Sequence, residues 1–186
     1  MRINPNSHCL DEAVFLESPN QDARPASLID LLAIHNISLP PGQFGGRYIE
    51  DFFCNQLDVD AHAYFEEIAD MRVSSHLLVC RDGRVVQFVP FDRRAWHAGE
   101  SCFEGRERCN DFSIGIEVEG TDELPYAEIQ YEVLSRIVHT LMDVYPHITR
   151  ERIVGHSAIA PTRKTDPGPA FNWSHLHGLL DALDDD

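Results

Sequence analysis

The sequence predicts an α/β fold: a central mixed β-sheet flanked by helices. Three observations lead there. Apolar runs of strand length alternate with segments of helical period along the chain. Asp82-Gly83 lies between two apolar runs, a strong hairpin signal, so the sheet is not wholly parallel. The 186 residues show no repeat and no linker-like stretch. That length predicts a single domain over residues 1–186 with a sizeable core.

Residues 1–26 have no clear period, and Pro19-Asn20 and Arg24-Pro25 mark an irregular lead-in. The first apolar run lies between Ser27 and Ile37. Its length suits a buried strand ending at His35-Asn36, with a helix as the other reading. Leu39 to Gly46 holds two prolines and three glycines and must be a loop. Asp60 to Met71 has helical spacing through Phe65, Ile68 and Ala69. Ser74–Cys80 and Val85–Val89 are the arms of the hairpin.

From Phe112 to Gly120 apolar and polar residues alternate. Phe112, Ile114, Ile116 and Val118 share one face; Ser113, Gly115, Glu117 and Glu119 share the other. Pattern alone makes this a half-buried strand with both glutamates turned to water. Gly115 leaves room beside Glu117 for another group to approach. Pro125 to Tyr145 is the clearest helix, with Ile129, Val133, Ile137, Leu141 and Val144 at three- and four-residue steps. Ile153-Val154 predicts a short strand delivering Gly155-His156. Trp173 to Leu183 predicts a final helix, followed by an acidic tail, Asp184 to Asp186.

The formal charge of −16 argues against nucleic acid and anionic membrane as partners. An anionic substrate would need a locally positive pocket, since distant charges are screened beyond ~8–10 Å. No stretch approaches the ~20 apolar residues of a membrane span, and the N-terminus has no secretory pattern. Five cysteines without framework spacing predict reduced thiols in a cytoplasmic protein.

The chemistry concentrates in Val154–Pro169. This stretch holds His156, Lys164 and Asp166 on backbone stiffened by proline and glycine. Lys164 is the only lysine among fifteen Lys plus Arg, and its compact ammonium is not copied by arginine. Ten histidines make any single one weak evidence; His62, His76 and His97 are lesser candidates. His35 and His156 stand out because each ends an apolar, strand-like run. Two histidines and a carboxylate leave a fourth zinc position open for water. Glu117 is then the candidate base and Lys164 the candidate electrophile at a developing oxyanion.

These residues sit inside longer matching stretches: His35–Gly42, Phe44–Gly46, Arg93–Gly99, Gly105–Glu117 and Arg163–Pro169. They closely resemble the AmpD-type zinc N-acetylmuramoyl-L-alanine amidases of cytoplasmic peptidoglycan recycling. The resemblance implies a fold like that of zinc amidases and peptidoglycan-recognition proteins. It implies Zn2+ on His35, His156 and Asp166, and a catalytic pair at Glu117 and Lys164. Its substrate would be a 1,6-anhydro-muropeptide cut between the lactyl group and L-alanine. Arg72 and Arg108 would meet peptide carboxylates, with Asn36 nearby, and Trp96 and His97 would form the sugar-side wall. The chain would act as a monomer, with an indirect limit on β-lactamase induction. A binding module that holds such fragments without cutting them is the rival; the complete ligand set disfavours it. An enzyme acting on the intact cell wall is disfavoured by the lack of a signal or wall-binding segment.

Overall fold

A computed structural model describes residues 1–25 and 28–185. Ala26, Ser27 and Asp186, which the sequence placed at the end of the lead-in, at the start of the first apolar run and in the acidic tail, lie outside the described residues. The elements are β1 (Val14–Phe15), β2 (Gln21–Ala23), β3 (Leu31–Ile37), α1 (Tyr48–Phe53), α2 (Ala63–Ile68), β4 (Leu77–Val79) and β5 (Val85–Gln87). They continue as β6 (Arg93–Ala95), β7 (Cys102–Phe103), β8 (Arg106–Glu107), β9 (Ser113–Glu119), α3 (Glu128–Val144), β10 (Ile153–Gly155), α4 (His156–Ile159) and α5 (Trp173–Asp184).

Six strands form the main sheet in the order β1-β5-β4-β9-β3-β10. The β4, β9, β3 and β10 strands run parallel, while β5 pairs antiparallel with β4 across the Asp82-Gly83 turn. The mixed sheet is therefore the predicted one. Gly83 takes the positive φ that such a turn requires. Ile129 of α3 packs against the same glycine, where a Cβ would come within 2.7 Å.

One face of the sheet is an apolar core. Leu32 and Ile34 of β3 and Ile114, Ile116 and Val118 of β9 pack against Leu134, Ile137, Val138 and Leu141 of α3 and Leu176 and Leu180 of α5. The buried stripe of α3 is turned from the predicted one: Ile129 and Val144 are exposed, and Tyr131, Leu134 and Val138 go inside. Gln130 explains the orientation. Its amide donates to Val79 and Glu119 carbonyls, tying the helix start to the ends of β4 and β9. The helix predicted over 60–71 is shorter, because a 3-10 turn at Val59–Ala61 precedes α2.

The other face corrects the half-buried reading of β9. Every residue of β9 is buried, Glu117 at 8% and Glu119 at 3% exposure. Loop segments bearing His76, His97 and Ala98 cover the polar side. Glu119 accepts from the backbone N–H of Gly45 (2.6 Å) and Arg81 (2.9 Å), pinning the glycine-rich loop to the hairpin. His76 is fully buried; its Nδ1 accepts from Gly115 N–H at 3.0 Å, and Nε2 donates to the Arg93 carbonyl at 3.1 Å.

Burial, then the charge of Arg24, pushes the His76 pKa from 6.5 to about 3. Between those values the unfolded chain binds a proton that the folded chain refuses, so stability falls with falling pH. The loss is ~1.4 kcal/mol per pH unit from this one group. Urea unfolding should therefore show the wild-type advantage over His76→Gln shrinking by about 2 kcal/mol from pH 7 to pH 5.

Candidate active site and metal centre

Sheet register assembles the site at the carboxyl ends of three adjacent parallel strands. His35 on β3 is directly opposite Glu117 on β9, and both point to the covered polar face. On the other side of β3, Gly155 of β10 pairs with Ile34, so the next residue, His156, arrives beside His35. Gly155 is needed there: a Cβ would come within 2.8 Å of the Pro167 ring. The Ser157 N–H donates to the Asp166 carbonyl at 3.0 Å and folds the Asp166 loop back over the strand ends. Ligand sites in sheets flanked by helices form at such edges.

Three ligand atoms converge. His35 Nδ1 and His156 Nδ1 are 3.0 Å apart, and each is 3.1 Å from Asp166 Oδ2. His156 Nε2 faces the Ala98 carbonyl at 3.1 Å and must donate to it, so in the neutral ring Nδ1 carries a lone pair. Two imidazole lone pairs and a carboxylate oxygen aimed at one point repel unless a cation sits among them. Zn–N and Zn–O distances of ~2.0–2.2 Å imply tetrahedral edges near ~3.3 Å, close to the separations found. The donor set and its spacing thus fit a zinc ion. Among the described residues this is the one such group of His, Cys, Asp or Glu side chains.

The electrostatics are sharply divided. Burial pushes the His35 pKa down to about 4, against the opposing pull of Asp166. Burial also acts to raise Asp166, but hydrogen bonds to His156 and His35 outweigh it and hold the carboxyl below its usual range. Glu117 goes the other way. Burial, then the charge of Asp166, raises its pKa well above that of an ordinary carboxyl, while Lys164 pulls it down. Its Oε2 is buried and has no hydrogen-bond partner in the protein. A carboxyl with an unused acceptor and a raised proton affinity is suited to taking a proton from something that enters the cavity.

That cavity has a volume of about 700 Å³. His35, His156, Asp166, Glu117 and Lys164 line its polar side together with Asn36 and Asp122. Leu39, Phe52, Tyr64, Ile68 and Trp96 line an apolar side. The five predicted metal and catalytic residues, drawn from three separate stretches of sequence, therefore meet in one place.

Comparison with known proteins agrees with this geometry. The family model for N-acetylmuramoyl-L-alanine amidase matches residues 25–169. The chain belongs to the N-acetylmuramoyl-L-alanine amidase family. Among relatives, the 1,6-anhydro-N-acetylmuramyl-L-alanine amidase AmpD of Enterobacter cloacae is 55% identical over 177 residues, covering 95% of this chain and 94% of the relative. AmpD of Escherichia coli is 56% identical over 164 residues, covering 88% of this chain and 89% of the relative. A crystal structure of an AmpD selenomethionine derivative superposes with a TM-score of 0.93 at 51% identity, covering 97% of this chain and 99% of that one. A more distant neighbour is Escherichia coli AmiD, solved with anhydro-N-acetylmuramic acid-L-Ala-D-gamma-Glu-L-Lys (TM-score 0.60, 32% identity, 85% of this chain and 60% of that one). The fold is the zinc-amidase one that the motifs implied.

Within this amidase the residues expected to touch substrate divide. Asn36 and Trp96 line the cavity. Asn36 donates its amide to Asp122 Oδ1 (2.8 Å) and the Pro167 carbonyl (3.1 Å), so it also ties β3 to the Asp166 loop. His97 reaches the cavity edge but is buried behind His35, with its Nδ1 2.9 Å from His35 Nε2. It contacts the His35 ring as well as lining the cavity. Arg72 and Arg108 are not among the cavity's lining residues. The Arg72 guanidinium donates to the Ala69 and Met71 carbonyls at the end of α2. Arg108 is mostly exposed, pairs with Asp111 at 3.5 Å and lines a separate hollow that shares Arg163 with the main cavity's lining. Sequence reasoning missed Tyr64 and Asp122 on the cavity wall; neither carries a local signal, since one is on a short helix and the other in a loop.

Proposed function

We propose that this chain, as a single domain over residues 1–186, is a zinc-dependent amidase of muropeptides. It hydrolyses the amide between (1,6-anhydro-)N-acetylmuramic acid and L-alanine in cytoplasmic peptidoglycan recycling, acting as a monomer. The observation that carries the reading is the convergence of His35 Nδ1, His156 Nδ1 and Asp166 Oδ2 on the cavity floor, beside the unpartnered Glu117 carboxyl. Removing anhydro-muropeptides in this way would also limit β-lactamase induction. The described residues include no helix long and apolar enough to cross a membrane, and the five cysteines are free.

When bound, zinc supplies a Lewis acid and lowers the pKa of a coordinated water towards ~7. Glu117 accepts a proton from the attacking water as its oxygen bonds to the lactyl carbonyl carbon. Lys164 places a fixed positive charge against the carbonyl oxygen as it becomes an oxyanion. Glu117 then returns the proton to the alanine nitrogen as the carbon–nitrogen bond breaks. The products are a muramic acid with a free lactyl carboxylate and a peptide with a free N-terminal L-alanine.

The decisive assay incubates the zinc-loaded protein with an anhydro-muropeptide and follows the mixture by mass spectrometry. Release of free peptide and of the sugar acid is expected, their masses together equal to the muropeptide plus one water; a muropeptide retained intact would favour the binding-module alternative and overturn the amidase reading. Parallel incubation with the reducing-end sugar measures how far the anhydro ring is demanded. Lys164→Gln should lower kcat by ~10²-fold with little change in KM, as expected for an interaction made only in the transition state.

A further inference from the structure

Behind His35 lies a buried line of hydrogen-bonding groups that ends on a backbone carbonyl. Ser113 Oγ is 2.6 Å from the Cys109 carbonyl. A carbonyl only accepts, so the hydroxyl proton points to Cys109 and Oγ turns a lone pair to His97 Nε2, 3.0 Å away. Nε2 of His97 must therefore carry a proton. A second proton on Nδ1 would make His97 a buried cation, and none of its hydrogen-bond partners is a carboxylate. Nδ1 is thus an acceptor, and His35 Nε2, 2.9 Å away, is the donor. The Nδ1 lone pair of His35 is then left to face His156 and Asp166.

We infer that His97 and Ser113 are positioning residues that lock His35 in its metal-ready tautomer, and that Gly115 is the notch that admits the His97 ring. A Cβ on Gly115 would overlap the His97 ring, whose Cγ, Nδ1 and Cδ2 are its nearest neighbours. The backbone of this segment is fixed as well: the N–H groups of His97 and Ala98 both donate to Asn110 Oδ1, at 3.1 and 2.8 Å. Ala98 in turn offers its carbonyl to His156 Nε2 at 3.1 Å. One dipeptide thus sets both imidazole ligands, His97 through its side chain and Ala98 through its main chain. Partners that orient a ligating imidazole typically contribute 10–100-fold in metal affinity.

The inference rests on the reading of His35 as a metal ligand, so the test separates the two. In metal-free protein, long-range proton–nitrogen NMR of the imidazoles should show His97 protonated at Nε2 and bare at Nδ1. Zinc affinity is then measured by chelator competition. Ser113→Ala and His97→Phe should weaken zinc binding by roughly 10-fold and 10²-fold, and in Ser113→Ala the His97 ring should become a mixture of tautomers. Gly115→Ala should act in the same direction. His97→Asn, which keeps an oxygen acceptor near the Nδ1 position, should bind zinc within about 10-fold of wild type. Wild-type protein that takes up no zinc would sink the metal-centre reading while leaving the tautomer pattern to be read. A His97 protonated at Nδ1 in the metal-free protein would overturn the relay. So would folded Ser113→Ala that binds zinc within twofold of wild type with its tautomers unchanged. Ser113→Ala removes a single buried oxygen, so this arm holds even where a ring replacement prevents folding.

Discussion

A His156→Ala chain is expected to fold, bind no stoichiometric zinc and hydrolyse muropeptide only at the rate of chelator-treated wild type. His156 Nδ1 lies 3.0 Å from His35 Nδ1 and 3.1 Å from Asp166 Oδ2. Removing it leaves one imidazole and one carboxylate, too few for a stable tetrahedral zinc site. The chemical consequence is large because free water has a pKa near ~15.7 against ~7 when bound to such a site. Metal analysis and hydrolysis should be measured on the same sample, with circular dichroism as the check on folding. A variant holding one zinc per chain and turning over near-normally would remove His156 from the ligand set.

Glu117→Gln is expected to keep zinc and lose at least ~10²-fold in kcat/KM. Glutamine fills the same volume between β3 and β4 but has no basicity. Glu117 is not among the three converging ligands, so metal content should not follow activity. The pH profile gives a second readout. The proton-accepting form of Glu117 is the carboxylate, and burial raises its pKa above the ordinary range. Wild-type kcat/KM should therefore fall on the acid side at a higher pH than an ordinary carboxylate would give, and this limb should be missing in the glutamine variant. Turnover within a few-fold of wild type would show that the proton goes elsewhere.

Much of this site was legible in the sequence because its chemistry lies at the ends of strands with a clear pattern. The alternation in β9 identified Gly115 and Glu117 as neighbours on one face, and the apolar run before His35 placed that residue at a sheet edge. The direction of exposure was not legible. Alternation reports which residues share a face, but the cover over that face comes from a segment distant in sequence. His97, the side chain that fills the space at Gly115, is 62 residues from His35, whose Nε2 it faces. The β2–β6 pair was missed for a similar reason. Gln21-Asp22-Ala23 and Arg93-Arg94-Ala95 have no apolar rhythm, and Asp22 accepting from Arg94 Nε at 2.6 Å helps hold them together. Arg72 and Arg108 were marked by the motif resemblance alone, since their partners, the Ala69 and Met71 carbonyls and Asp111, carry no pattern that sequence could show.

The strand order carries one more consequence, for how the protein is made. His35 sits on β3, whose two neighbours, β9 and β10, come much later in the chain. A polypeptide growing from its N-terminus exposes the first imidazole early and must wait for more than a hundred further residues before the second imidazole and the carboxylate emerge. Until then, no partial product can bring all three groups together. Assembly of the site is thereby tied to synthesis of residues 156–166, and a chain that stalls before residue 156 holds only one of the three converging side chains.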